Sequence, residues 1–334
     1  MKAAILKKPG SIENSPLEVG SISIPEPGPP ELLLQVQACG VCHTDLHIVE
    51  GEVPLPQLPV VPGHQIVGLV QQTGEQVLWP RVGDLVGVGW LNWTCGSCHF
   101  CQSGRENLCA QARFTGYHGD GGYAEYTTVP YDFAYKLPEG FSEEQVAPLL
   151  CGGVIGYRAL RLSEVQPEQV LGLYGFGASA HIVIQVARHW GCRVFVFTRA
   201  PAHQELARRM GAEWVGQAQE QAPEELDSAI IFAPAGFLVP LALGALKRGG
   251  SLALAGITMT PIPEMRYDLL YGERTLRSVA NATRQDAQEL LALAAQIPIR
   301  TEVEVFPLIY VNRALQLLKL GRINGAAVLR VSEG

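Results

Sequence analysis

The sequence predicts an α/β fold in two parts, an irregular β-rich domain and a doubly wound parallel sheet, and three observations predict it. Up to residue 151 the chain is rich in glycine, proline and short β-branched runs, with turn residues every few positions. From residue 152 strand-like apolar runs alternate with helical stretches, the texture of a parallel sheet covered by helices. From 282 onward strands recur between helices, so residues 1–151 and 282–334 are expected to form one domain and 152–281 the other.

Taken in order, ILKKPG, LLLQV and IVGLV read as strands of the first domain, where long helical patterns are absent. In the second, VLGLYGFG, RVFVFTR, SAIIFAP and SLALAGI read as strands, with HIVIQVARHW and QELARRMG as the intervening helices. After TLRSVA come a helix-like QDAQELLALAAQ, a strand-like EVEVFPL, a helix-like NRALQLLKLG and a final strand, AAVLRV. The apolar run AIIFAPAGFLVPLALGAL, residues 229–246, is about as long as the shortest membrane spans. Pro234, Gly236, Pro240 and Gly244 break it into a buried strand, a turn and a core-facing helix, so no membrane partner is expected.

At 334 residues with 47% hydrophobic and 17% charged residues, the chain can bury a substantial core without covalent staples. The formal charge of -7 and the lack of a Lys/Arg cluster argue against nucleic acid as a partner. The start, MKAAILKKPG, is not followed by the apolar run of a secretion signal. Eight cysteines in that context are expected as thiols or metal ligands in the cytoplasm.

Cys95, Cys98, Cys101 and Cys109 give C-x2-C-x2-C-x7-C within one short loop, four soft ligands able to close a tetrahedral cage around structural zinc. An iron–sulfur cluster competes, but the ferredoxin run needs its fourth cysteine after three residues and followed by proline. Cys42, His64 in VPGHQIVG and Cys151 in LLCGGVIGY make a Cys2His set that would leave one zinc position open. Spacing alone does not unite them, since a buried cysteine or histidine is commonly a core residue.

LGLYGFGASA sets Gly175, Gly177 and Ala180 as G-x-G-x-x-A between a strand and a helix. There the glycines permit a tight turn while the helix N-terminus faces a dinucleotide pyrophosphate. The next strand ends in Thr198 and Arg199 instead of the carboxylate that binds a ribose 2′-hydroxyl. A guanidinium there pairs with a 2′-phosphate, so NADP is favoured over NAD.

CGVCHTDLH, PGHQIVG, the four-cysteine loop, GDGGYAEY, LLCGGVIGYRAL and GFGASA stand in the order and spacing of the zinc-dependent medium-chain alcohol dehydrogenases, which the chain resembles over nearly its whole length. That resemblance implies a GroES-like catalytic domain, a Rossmann cofactor domain, two zinc ions per chain and a homodimer or homotetramer. It implies that Cys42, His64 and Cys151 hold the catalytic zinc and that Thr44 and His47 carry the alcohol proton outward through the cofactor ribose. It further implies that Asp45 orients His64 and that His43 lies near the cofactor pyrophosphate, leaving Cys39 and Cys192 as buried thiols. The expected reaction is reversible hydride transfer between a primary alcohol or its aldehyde and NAD(P); a polyol or secondary-alcohol dehydrogenase, or a non-catalytic dinucleotide-binding relative, are the alternatives. Three departures stand out: Gln65 where the family usually has Glu, Ile155 where many members have Thr, and Ala326 where a phosphate-binding Arg is common.

Overall fold

Strand Glu31–Val41 spans 11 residues and carries alternating and then continuous burial, the pattern of a strand at the centre of a sheet. It comes from a computed structural model that describes residues 1–297 and 299–332. Antiparallel partners flank this strand: Gln65–Thr73 on one side, Ala326–Arg330 and Tyr126–Pro130 end to end on the other. Leu85–Val88 and Ala134–Lys136 extend the sheet beyond Gln65–Thr73, and Val303–Pro307 adds in parallel beside Ala326–Arg330. The seven-stranded sheet thus takes its last two strands from the C-terminal part of the chain.

By contacts the chain divides into two compact units, Met1–Cys151 with the chain from Thr283 onward, and Gly152–Ala282. Leu6, Leu32, Leu34, Ile48 and Ile66 lie in the fully buried core of the first unit, and helix Val311–Lys319 lends Ala314 and Leu315 to the same core.

The second unit is a six-stranded parallel sheet. Its spatial order is Trp214–Gly216, Arg193–Phe197, Val170–Tyr174, Leu226–Ile231, Leu246–Leu254 and Thr275–Ser278. Numbered within the unit this is 3-2-1-4-5-6, the Rossmann order, whose reversal beside the first strand opens a crevice at the strand C-termini. Val170–Tyr174 is buried at every position, as a strand covered on both faces must be. The apolar 229–246 run divides between strand Leu226–Ile231 and helix Leu238–Ala245. Among the described residues no helix is long and apolar enough to cross a membrane.

Several elements are absent from the sequence reading, and one of them carries candidate site residues. HTDLHIVE forms a helix, His43–Glu50, directly after the central strand. Cys42 caps it, its sulfur accepting the Thr44 N–H at 3.3 Å while the Asp45 carboxylate accepts the Cys42 N–H at 3.0 Å. Gly51 ends it with a φ of 76°.

Candidate functional site

Sheet register brings the first two candidate ligands together. Gly40 pairs with Gln65, so the end of one strand and the start of its antiparallel neighbour set Cys42 beside His64. Gly63, before the histidine, has a φ of 97° and sits so close to Tyr123 that a Cβ would lie 2.4 Å from its ring. Only glycine fits there. Cys151 follows the buried 3₁₀ turn Ala147–Leu150, which packs against the same strand, Gln65–Thr73.

His64 Nε2 lies 3.3 Å from Cys42 Sγ and 3.3 Å from Cys151 Sγ, with all three ligand atoms within 4.8 Å of one another. Tetrahedral zinc, with bonds of about 2.3 Å to sulfur and 2.0 Å to nitrogen, sets sulfur and nitrogen roughly 3.6 Å apart. The donor set therefore fits that ion. On its other side, His64 Nδ1 lies 2.9 Å from Asp45 Oδ1, an oxygen that also accepts the Gly63 N–H at 3.2 Å. His64 and Asp45 are both fully buried. Burial disfavours the imidazolium, but the Asp45 carboxylate and the Cys42 sulfur outweigh it and push the imidazole up to about 10. The neighbouring Cys151 sulfur, followed by burial, raises Cys42 well above the usual thiol value. Two adjacent sulfurs ionise together only when a cation lies between them, which is the chemistry of a metal centre.

Thr44 and His47 stand three residues apart on the helix that begins beside Cys42, which gives them a common face. His47 is nearly buried, and its Nδ1 lies 2.5 Å from Glu52 Oε2. Glu52 is absent from the sequence reading. It follows the helix, and its N–H closes the last turn on the His47 carbonyl at 2.9 Å, which returns its side chain to His47. His43 is exposed, with its ring centroid 6.4 Å from that of His47.

The second cluster closes within one loop. Cys95 and Cys101 sulfurs are 3.8 Å apart, Cys98 and Cys101 3.5 Å, and Cys95 and Cys109 3.6 Å. Tetrahedral zinc with four thiolates sets sulfurs about 3.8 Å apart, whereas a disulfide requires about 2.05 Å. All eight cysteines are free thiols. Backbone N–H groups of Ser97 and Cys98 pull Cys95 down to about 6, favouring the ligand thiolate. Glu106, inside this loop and buried, accepts the backbone N–H of Arg284 at 3.0 Å and so ties the loop to helix Arg284–Gln296.

In the second unit Gly175 ends strand Val170–Tyr174 with a φ of 91° and donates its N–H to the Phe197 carbonyl at 2.9 Å. Gly177 has open space where a Cβ would stand, and Ala180 is the buried first residue of helix Ala180–His189. No side chain caps that helix; the His181 N–H meets the Gly177 carbonyl at 3.1 Å and the Ile182 N–H the Ser179 carbonyl at 3.2 Å, so the turn from Gly175 to Ser179 is what precedes its positive end. Thr198 is buried and Arg199 exposed just beyond strand Arg193–Phe197.

The departures are also placed. Gln65 is buried and covers Gly40, where a Cβ would lie 2.7 Å from its side chain. Ile155 lies in helix Gly152–Leu162, and Ala326 is buried in the first unit's sheet, paired with Val303. Cys39 and Cys192 are buried.

Comparison with known proteins follows the same division. The family model of the alcohol dehydrogenase GroES-like domain matches residues 28–139. That of the zinc-binding dehydrogenase matches residues 180–296. The chain is 48% identical to a Mycobacterium tuberculosis protein described as a probable alcohol dehydrogenase, over 99% of this chain and 97% of that one. It is 36% identical to an alcohol dehydrogenase of Geobacillus stearothermophilus, over 99% and 100%. A cinnamyl alcohol dehydrogenase from Sorghum bicolor superposes with a TM-score of 0.91 at 29% identity, covering 100% of this chain and 99% of that one.

Proposed function

Because this chain belongs to the zinc-dependent medium-chain alcohol dehydrogenase family and is an oxidoreductase, we propose that it interconverts a primary alcohol and its aldehyde, with NADP as the favoured nicotinamide and zinc held by Cys42, His64 and Cys151. The observation that carries this reading is the His64 ring, with Nε2 3.3 Å from each of two sulfurs and Nδ1 2.9 Å from a buried carboxylate. A second zinc belongs to Cys95, Cys98, Cys101 and Cys109, by the fit of their sulfur separations.

When bound, zinc supplies Lewis acidity to the alcohol oxygen and nicotinamide accepts the hydride. The protein supplies the rest. Asp45 accepts the Nδ1 hydrogen of His64, which fixes the tautomer and turns the Nε2 lone pair toward the two sulfurs. The Thr44 hydroxyl, able to accept and donate at once, holds the departing proton first. His47, whose Nδ1 donates to Glu52, takes up that proton next. Glu52, half-exposed, connects the pair to water. His43, at the start of the same helix, serves the cofactor pyrophosphate.

Gly175, Gly177 and the uncapped helix at Ala180 cradle the pyrophosphate, and Thr198 with Arg199 supports the preference for a 2′-phosphate. The working unit is a homodimer or homotetramer. The test is kcat/KM for 1-butanol, benzyl alcohol, 2-butanol and a sugar alcohol with NADP and NAD in parallel, and for the corresponding aldehydes and ketones with NADPH and NADH, on zinc-loaded protein. Primary substrates with NADP are expected to lead. A lead by 2-butanol or the sugar alcohol overturns the substrate class, and a lead by NAD overturns the cofactor preference.

A further inference from the structure

Among the described residues, one aromatic ring pair joins a residue of the Cys42, His64 and Cys151 cluster to a tryptophan: Trp90 meets His64 edge-on at 4.9 Å between centroids. His64 is fully buried, whereas Trp90 is half-buried, so the indole is the more accessible ring of the pair. Its own position is set from behind. Phe114 stacks on it at 4.9 Å and 9° between planes, and Tyr117 adds a tilted ring at 5.9 Å. The Trp90 carbonyl accepts the Thr115 N–H at 2.9 Å, and the Tyr117 hydroxyl donates to the Pro54 carbonyl. Strands Leu91–Trp93 and Arg113–Phe114 pair with Leu91 opposite Phe114, and the four-cysteine loop spans the chain between them.

We infer that Phe114 is a positioning residue for substrate specificity: by stacking on Trp90 it holds the indole beside His64 and so fixes the width of the alcohol pocket. A carbinol carbon next to that wall has room for one carbon substituent and two hydrogens, not for two carbon substituents. The inference rests on the primary-alcohol reading above. A flat ring at 9° holds an indole in one plane, and an aliphatic side chain at the same place lets it tilt, because it lacks the matching face.

The experiment compares wild-type holoenzyme with Phe114→Leu, Phe114→Tyr and Trp90→Ala, reading the ratio of kcat/KM for 2-butanol over 1-butanol. A size change of one carbon substituent in a tight pocket is worth about tenfold or more, so Phe114→Leu is expected to raise the ratio by about tenfold and Trp90→Ala by at least as much. Phe114→Tyr keeps the ring and is expected to stay within about twofold of wild type. Acrylamide quenching of tryptophan fluorescence supplies the second readout. It is expected to increase in Phe114→Leu and return to the wild-type value in Phe114→Tyr. An unmoved ratio in Trp90→Ala, which does not depend on Phe114→Leu folding, overturns the inference; so does a Phe114→Leu protein that folds, with ratio and quenching unchanged. A wild-type enzyme that prefers 2-butanol overturns the primary-alcohol reading alone, since the effect of Phe114 is read as a change in ratio.

Discussion

Asp45 accepts hydrogen bonds from Cys42 N–H, Gly63 N–H and His64 Nδ1, so one buried carboxylate joins both ligand-bearing segments. An amide in its place turns one acceptor into a donor that faces N–H groups. Asp45→Asn is therefore expected to weaken zinc at Cys42, His64 and Cys151 by roughly 10- to 100-fold, while the four-cysteine site keeps its metal. Zinc release followed during chelator titration checks this, and one unchanged release profile for both sites would contradict it. In the other unit, Arg199→Ala would remove the charge-assisted hydrogen bond to a 2′-phosphate that the NADP proposal assigns to this residue. It is expected to raise KM for NADPH about tenfold and leave KM for NADH nearly unchanged, as parallel kinetics would show. Legibility at this scale was uneven. Asp45 was readable because it sits within CGVCHTDLH, whereas Glu52 was not, because a carboxylate one residue past a helix end shows its aim only once the chain has turned. Trp90 carried no signal of its contact with His64, and the stack from Phe114 joins residues 24 positions apart in the sequence.

The element that carries Thr44 and His47, helix His43–Glu50, was hidden for a physical reason. Its buried positions include Asp45 and His47 beside Leu46, Ile48 and Val49, so no apolar stripe of helical period stands out. Its far end is tied down by Glu50, which accepts the Ile12 N–H at 2.9 Å and the Lys319 ammonium at 2.8 Å. Burial alone would raise Glu50, but Lys319 and the Ile12 N–H outweigh it and hold the carboxyl below its ordinary value. A depressed folded-state pKa contributes stability above the ordinary carboxylate range and loses it as pH falls through the folded value. Lys319 is more than a third exposed, so screening limits the contribution to roughly 1 kcal/mol. Glu50→Gln is expected to lower Tm at pH 7, with the gap from wild type closing as pH falls toward 4. A gap independent of pH would show that the ion pair is not its source. The strands of the second unit, by contrast, were readable as elements, because Val170–Tyr174 and Leu226–Ile231 are short apolar runs bounded by turn residues.

At the scale of the whole molecule, the first unit is discontinuous, and its central sheet needs the last strand of the chain beside Glu31–Val41. The ligand set shows the same dependence on tertiary structure. Cys42, His64 and Cys151 come from three distant segments, and their convergence rests on strand register and on one buried turn, neither of which spacing encodes. The four-cysteine loop is the opposite case, a site closed within 15 residues and legible from spacing alone. Cys98→Ser is thus expected to remove one zinc and lower Tm while the Cys42 set keeps its metal, as metal analysis alongside a thermal melt would show. The most direct measurement of the account is zinc content and alcohol turnover in Cys42→Ser. The expected result is a fall from about two zinc ions per chain to about one, with turnover lost and NADPH binding retained. Undiminished turnover, or two zinc ions still bound, would contradict the assignment of the catalytic metal to Cys42, His64 and Cys151.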